Sequence, residues 1–147
     1  MFRGRSKHTL DEKGRLAIPT RFMDDLKQEE ESYLMVTNYI DCLCGYSMNE
    51  WDIIEKKVKD LPMMDEAVDA FLRYFISGAQ PCQIKKGRIT IPYELREIAG
   101  LKKEVVLAGL LTRFEIWDKD RWDEELKRAS VGFKDKGFRQ ALKDLGI

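Results

Sequence analysis

The sequence predicts an α+β fold, mainly β, built from two tandem repeats about a pseudo-two-fold axis and flanked by helices. Three observations carry this expectation. "DEKGRLAIP", from Asp11 to Pro19, returns as "IKKGRITIP", from Ile84 to Pro92, and five of the seven residues that start at Lys13 and at Lys86 are identical. Further along, "YLMVTNYIDCLCGYSMNEWD" falls on "EVVLAGLLTRFEIWDKDRWD", so that Trp51-Asp52 meets Trp122-Asp123. Finally, a half of about 50 residues buries too little apolar surface to be secure alone. Two such halves share one core if their strands interleave, and the two Lys-Gly-Arg turns then sit side by side on one face. The motif aligns Lys13 with Lys86, 73 residues on, and the later stretch aligns Tyr33 with Glu104, 71 residues on. The slip falls across "DDLKQEEES" and reads as a difference in loop length.

Each half reads in the same order. Lys-Gly marks a turn, with glycine supplying a conformation that other residues resist. Arg15 to Ile18 and Arg88 to Ile91 alternate polar or small with apolar, as half-buried strands do. Pro19 and Pro92 suit the first position of short helices over "TRFMDDL" and "YELREIA", the second closed by Gly100. Strands follow at Leu34 to Thr37 and Leu43 to Tyr46, and again at Val105 to Ala108 and Phe114 to Trp117. Each half ends in a helix that holds its tryptophan; Ser47 and Glu50 have capping-box spacing for the first, and Asp118 caps the second. Between the halves, Val68, Phe71, Leu72, Phe75 and Ile76 recur at helical spacing until Gly78 stops the run. That stripe packs on its own core or on a partner subunit, and a last helix, "FRQALKDLGI", offers a second such surface. The boundaries are residues 5–52 for the first repeat, 53–78 for connecting helices, 79–123 for the second repeat and 124–147 for C-terminal helices.

The 147 residues carry no formal net charge, with 26 basic and 26 acidic side chains, so overall balance says nothing about partners. The distribution is informative. Arg3, Arg5, Lys7, Lys13, Arg15 and Arg21 face only Asp11 and Glu12, while the next ten residues hold Lys27 against Asp24, Asp25, Glu29, Glu30 and Glu31. Cations gather again at Lys85, Lys86 and Arg88. Such clusters are what a phosphate footprint requires, and a solvated face is the plain alternative. No apolar run approaches the ~20 residues that span a bilayer. The start, "MFRGRSKHTL", lacks the apolar segment of a secretory signal, so a cytoplasmic location is expected.

Three cysteines, Cys42, Cys44 and Cys82, suit reduced buried thiols rather than a disulfide framework. "CLCG" brings two thiols close in sequence, but a tetrahedral zinc site needs two more ligands, so no metal is expected. Enzyme chemistry finds little support. The only histidine, His8, lies in a basic N-terminal arm expected to be mobile. No Ser or Cys stands in a nucleophile signature, no phosphate-binding glycine loop occurs, and the carboxylates Glu29 to Glu31 read as a solvated run.

"MFRG", "LDEKGRLAIPTRF" and "GRITIPYELREIAGLKKEVVLAGLLTRFEIWDKDRWDE" together resemble the MraZ family of bacterial transcriptional regulators, with two SpoVT/AbrB-like domains in one chain. The resemblance spans nearly the whole sequence. It implies a swapped-hairpin β-barrel like that of AbrB-type regulators, ring-shaped homo-oligomers, association with the nucleoid, and binding to double-stranded DNA near the promoter of the division and cell-wall gene cluster. No cofactor is implied. The family's motif of an Asp, three residues and an Arg lies on Asp11 and Arg15, with Gly14 between. Arginine presents a rigid fork that fits a guanine edge or a phosphate, and a nearby carboxylate can hold that fork in one pose. Gly14 would let the backbone approach DNA closely. An internal pair that only tightens the turn is the other reading. In the second half, position 84 is Ile, so Arg88 lacks the acid four residues before it, while Lys85 and Lys86 favour phosphate contact. The candidate DNA-binding set is therefore Arg3, Arg5, Lys7, Asp11, Lys13, Gly14 and Arg15 in the first half and Lys85, Lys86, Gly87 and Arg88 in the second. The alternative function is an AbrB-fold, antitoxin-like module whose main ligand is a partner protein.

Overall fold

A computed structural model of the chain describes residues 1–26, 32–62 and 64–147. The carboxylate run Glu29 to Glu31, and most of the loop where the alignment slips, lie outside the described residues. The strands are β1 (Phe2–Thr9), β2 (Arg15–Ala17), β3 (Tyr33–Asn38), β4 (Leu43–Ser47), β5 (Gln80–Gln83), β6 (Arg88–Thr90), β7 (Glu104–Leu111) and β8 (Phe114–Asp118). The helices are α1 (Thr20–Met23), continued by a 3-10 turn, α2 (Met48–Val58), α3 (Glu66–Phe71), α4 (Tyr93–Ile98), α5 (Lys119–Phe133) and α6 (Lys136–Asp144).

Six strands form one antiparallel sheet in the order β1-β7-β8-β4-β3-β5, and β2 pairs with β6 in a separate ribbon. The order is a palindrome of the two repeats. The first strand of each repeat pairs with the third strand of the other, β1 on β7 and β5 on β3. The fourth strands, β4 and β8, meet at the centre. Among the described strands of this sheet, the pairings within a repeat are the hairpins β3–β4 and β7–β8, and their registers match: Leu34 faces Ser47 as Val105 faces Asp118. The expected interleaving is thus present. A closed barrel is not found among the described residues, because β1 and β5 are edges of the sheet.

One face of the sheet and the ribbon enclose the main core. Leu16, Ile18, Ile89 and Ile91 of the ribbon segments pack with Leu34, Val36, Leu43, Val105, Leu107, Phe114 and Ile116. The rings of Phe2, Phe22 and Phe114 meet at 5.1 to 5.3 Å. The N-terminal arm is therefore not a mobile tail. Phe2 is anchored in the core, and β1 supplies the hydrogen bonds that β7 would otherwise leave unmade. On the opposite sheet face, Met35, Cys44 and Tyr46 pack with Trp51 of α2 and with Phe75.

Phe75 lies in a π-helical turn, Leu72–Ile76, that continues α3. The wider turn frees carbonyls, and β3 takes them: Thr37 Oγ1 donates to the Phe75 carbonyl at 2.6 Å, and Asn38 Nδ2 donates to the Tyr74 carbonyl. Of the predicted stripe, Phe75 is buried in its own chain, whereas Phe71 lies on the surface and stacks on it. Three caps depart from expectation. Pro19 and Pro92 stand one residue earlier, at the N-caps of α1 and α4. Asp118 stands at the N-cap of α5 without a capping bond, because its carboxylate accepts the Lys102 N–H at 3.3 Å instead. Ser47 does cap α2, accepting the Glu50 N–H.

Candidate nucleic-acid interface

The two Lys-Gly-Arg turns stand at the two ends of the ribbon, and each is latched to the end of the other repeat's strand. The Gly14 carbonyl accepts the Ile91 N–H at 2.9 Å, and the Gly87 carbonyl accepts the Ile18 N–H at 2.8 Å. Between the latches Leu16 faces Ile89, so the buried side of the ribbon is apolar and the opposite side carries Arg15, Ala17, Arg88 and Thr90. The turns share one face, as expected, but the antiparallel register places them at opposite ends of the ribbon rather than side by side, with Arg15 across from Thr90 and Arg88 across from Ala17.

Their backbones differ. In the first turn, the Asp11 carbonyl accepts the Gly14 N–H at 3.0 Å, and Asp11 Oδ1 accepts the N–H groups of Lys13 and Arg15 at 3.0 and 2.8 Å. Asp11 Oδ2 accepts Arg15 Nε at 2.5 Å. One carboxylate therefore both tightens the turn and braces the guanidinium. The backbone N–H of Arg15, and then its guanidinium, hold the Asp11 carboxyl below its ordinary range, which keeps the brace ionised. In the second turn, Lys85 and Arg88 exchange both backbone hydrogen bonds, at 2.8 and 3.0 Å. Lys86 and Gly87 between them have φ of 52° and 72°, the positive pair that a type I′ hairpin requires.

The second turn is one residue shorter, which corrects the pairing of Asp11 with Ile84. The Leu10 N–H donates to the Lys103 carbonyl, and the Ile84 N–H donates to the Ser32 carbonyl, which stands 71 residues before Lys103. Leu10 and Ile84 are thus the equivalent residues, and both pack on the core. Lys85 follows Ile84 as Asp11 follows Leu10, so an acid in one turn is replaced by a cation in the other.

The glycines also divide their roles. Gly14 is buried at φ 81°, and a Cβ there would lie 2.6 Å from the Arg96 guanidinium and 2.9 Å from the Ile91 carbonyl oxygen. Packing inside the chain alone is enough to require glycine there. Gly87 has nothing within 4 Å of a Cβ and is the turn with open space. Gly87→Ala is expected to cost about 1–2 kcal/mol from left-handed strain alone. Gly14→Ala should add about 1–3 kcal/mol for displacing packed neighbours. Urea melts of the two variants check the order, and equal losses would contradict the packing around Gly14.

The turns and ribbon enclose a concavity of about 480 Å³ lined by Arg15, Gln83, Lys85, Lys86, Arg88 and Thr90. Every charged residue on its wall is a cation. Gln83 and Thr90 were not singled out from sequence. Thr90 had a signal, since it takes an outward position of the strand alternation; Gln83 becomes visible only once β5 is recognised. Lys13 is exposed in the first turn. The arm cations do not join the concavity. Arg5 and Lys7 stand across from Ala108 and Val106, whereas Ser6 and His8 stand across from the core residues Leu107 and Val105. Arg5 lies over the Trp122 ring of α5 at 5.7 Å, on the sheet face away from the ribbon, and Arg3 precedes it opposite Leu110.

A duplicated scaffold with a cation-lined ribbon face is the plan of a transcription regulator, and comparison with known proteins gives the family. The family model described as "MraZ protein, putative antitoxin-like" matches residues 1–74 and again residues 75–144. The chain is 40% identical over 148 residues, covering all of both chains, to "Transcriptional regulator MraZ" of Caldicellulosiruptor saccharolyticus. It is 46% identical over 127 residues to the protein of that name from Syntrophobacter fumaroxidans, covering 86% of this chain and 85% of the relative. With the like-named protein of Desulforapulum autotrophicum it shares 41% over the full length of both. The chain belongs to the MraZ family.

Proposed function

We propose that this chain binds double-stranded DNA sequence-specifically and regulates the bacterial division and cell-wall gene cluster, its own promoter included. The observation that supports this most directly is the concavity in which Arg15, Lys85, Lys86 and Arg88 converge without an acid on the wall. A chain with no net charge binds a polyanion only through such a local patch. We read the exchange of first strands between repeats as the swapped-hairpin AbrB-type arrangement, with repeat units at residues 5–52 and 79–123, connecting helices at 53–78 and C-terminal helices at 124–147. No described helix is long and apolar enough to cross a membrane. The proposed location is the cytoplasm, on the nucleoid.

One concavity per subunit is a small contact for a specific regulator, which favours a ring-shaped homo-oligomer. Phe71, Tyr74, Val131, Phe133, Phe138 and Leu145 are exposed in the single chain and offer surface for neighbours. Light scattering should give a mass several times 17.2 kDa, and a mass at that value would exclude the ring. For DNA, fluorescence anisotropy on the chain's own upstream region is measured against an unrelated duplex as salt is raised. Each phosphate neutralised contributes about −0.9 to the slope of log affinity against log salt, so the four cations predict a slope near −3 to −4 per bound face. A flat plot, or equal affinity for both duplexes, would falsify the proposal. In that event the antitoxin-like reading, with a protein as ligand, takes its place.

A further inference from the structure

We propose that Cys42, Cys44 and Glu115 form a binding site for a zinc-class divalent cation at the junction of the two repeats. Sequence spacing supplies two thiols and no more. Strand pairing adds the third donor, because Cys44 of β4 stands directly opposite Glu115 of β8. Cys42 lies in the bend just before β4, and its thiol comes alongside. The two Sγ atoms and a Glu115 carboxylate oxygen all lie within 4.8 Å of one another. Zinc bonds of about 2.3 Å to sulfur and about 2.0–2.2 Å to oxygen need tetrahedral donors about 3.5–3.8 Å apart, a spacing inside the bound these three atoms meet.

Two neighbouring side chains and a groove fit a bound cation. Trp117 Nε1 donates to Glu115 Oε1 at 3.0 Å, which fixes the carboxylate and leaves Oε2 for the ion, as outer hydrogen bonds do at metal centres. Arg113 Nε is buried and has no hydrogen-bond partner. Its guanidinium lies over the Tyr39 ring and beside Cys44 and Glu115. Two thiolates and a carboxylate around a doubly charged ion leave one negative charge, which the Arg113 cation balances, and a thiolate gives the orphaned Nε an acceptor. Glu115 and Trp117 also line a groove of about 410 Å³ beside α5, which opens on the Glu115 side of the site and leaves room there for water as the fourth ligand. Binding exchanges one cation for the two thiol protons, released to solvent. Two thiolates and one carboxylate suit zinc better than magnesium or calcium, which take oxygen donors.

The test uses the full chain, reduced and stripped of metal. Titration with cobalt(II) should give one equivalent per chain, with thiolate-to-cobalt absorption in the near ultraviolet and tetrahedral bands in the visible that zinc displaces. Cys44→Ser should abolish the thiolate signal, and Glu115→Gln should weaken zinc binding by more than about tenfold, the effect already expected of an outer partner. Cys82→Ser, whose thiol is buried in the main core, should leave the signal intact. Zinc should also raise the melting temperature of the wild-type chain in a concentration-dependent way. No thiolate absorption in folded wild-type protein, or a signal that survives the joint replacement of Cys42 and Cys44 by serine, overturns the proposal. Should Cys44→Ser fail to fold, the wild-type titration and Glu115→Gln decide it.

Discussion

Phe114→Ala is expected to remove about 3–5 kcal/mol of stability, a large part of what a chain this size possesses. Phe114 is fully buried and forms a three-ring cluster with Phe2 and Phe22. Both partners come from the first repeat, so the ring is a principal contact between the halves. The space cannot collapse easily around a smaller residue. Gly45 of β4 faces Phe114 directly, and a Cβ at Gly45 would lie 2.3 Å from the ring. The backbone of β4 therefore already occupies the nearest position, held in place by its pairing with β8. Because the two repeats share this core, the variant should unfold in one transition at lower urea, with no separate step for either half. A loss below about 1 kcal/mol, far under the range for a buried aromatic, would mean that the halves do not depend on this cluster. Gly45→Ala approaches the same contact from the other side and should also destabilise, since either the ring or the strand must move.

The repeat was legible because its signals are local. Lys-Gly-Arg followed by apolar alternation and proline specifies a turn, a short strand and a helix start without reference to the rest of the chain. The order β1-β7-β8-β4-β3-β5 is a property of pairing between distant segments, and periodicity does not say which strand is the partner. β1 was missed because its inward positions after Phe2 are Gly4, Ser6 and His8, so the period of two carries almost no hydrophobic contrast. Had the strand been recognised, alternation from Phe2 would have assigned Arg3, Arg5 and Lys7 to the face away from the ribbon. The one-residue gap was hidden for a different reason. Identity is greatest at Lys-Gly-Arg, and an ungapped comparison extends that register back to Asp11 and Ile84, whereas the backbone bonds of Leu10 and Ile84 fix another. Glu115 joins Cys42 and Cys44 only through the β4–β8 ladder, which no spacing in the chain records.

If the chain binds DNA as proposed, the unequal turns should give unequal losses on mutation. Arg15 is braced through Nε by Asp11, which leaves the end of the guanidinium fork in a defined pose for a base edge. Arg15→Ala is expected to cost about 1–3 kcal/mol of discrimination at one base pair. Arg88 stands in a type I′ turn with Lys85 where the other turn has its acid, so in the proposed complex its contact is expected to be chiefly to phosphate. Arg88→Ala should weaken binding evenly across sequences and reduce the magnitude of the salt slope by about 1. Asp11→Asn separates pose from charge. The amide oxygen can still accept the backbone N–H groups of Lys13 and Arg15, but it holds the guanidinium less firmly and removes a negative charge from the interface. That variant should bind unrelated DNA at least as tightly as the wild type while losing part of the Arg15 discrimination, with the salt slope undiminished. Anisotropy on a panel of single-base-pair variants of the preferred site, repeated at two salt concentrations, measures all three outcomes. Equal loss of discrimination in Arg15→Ala and Arg88→Ala would show that the second turn reads bases despite its missing acid. A fall in affinity for every duplex in Asp11→Asn would show that the carboxylate serves the turn rather than the reading of DNA.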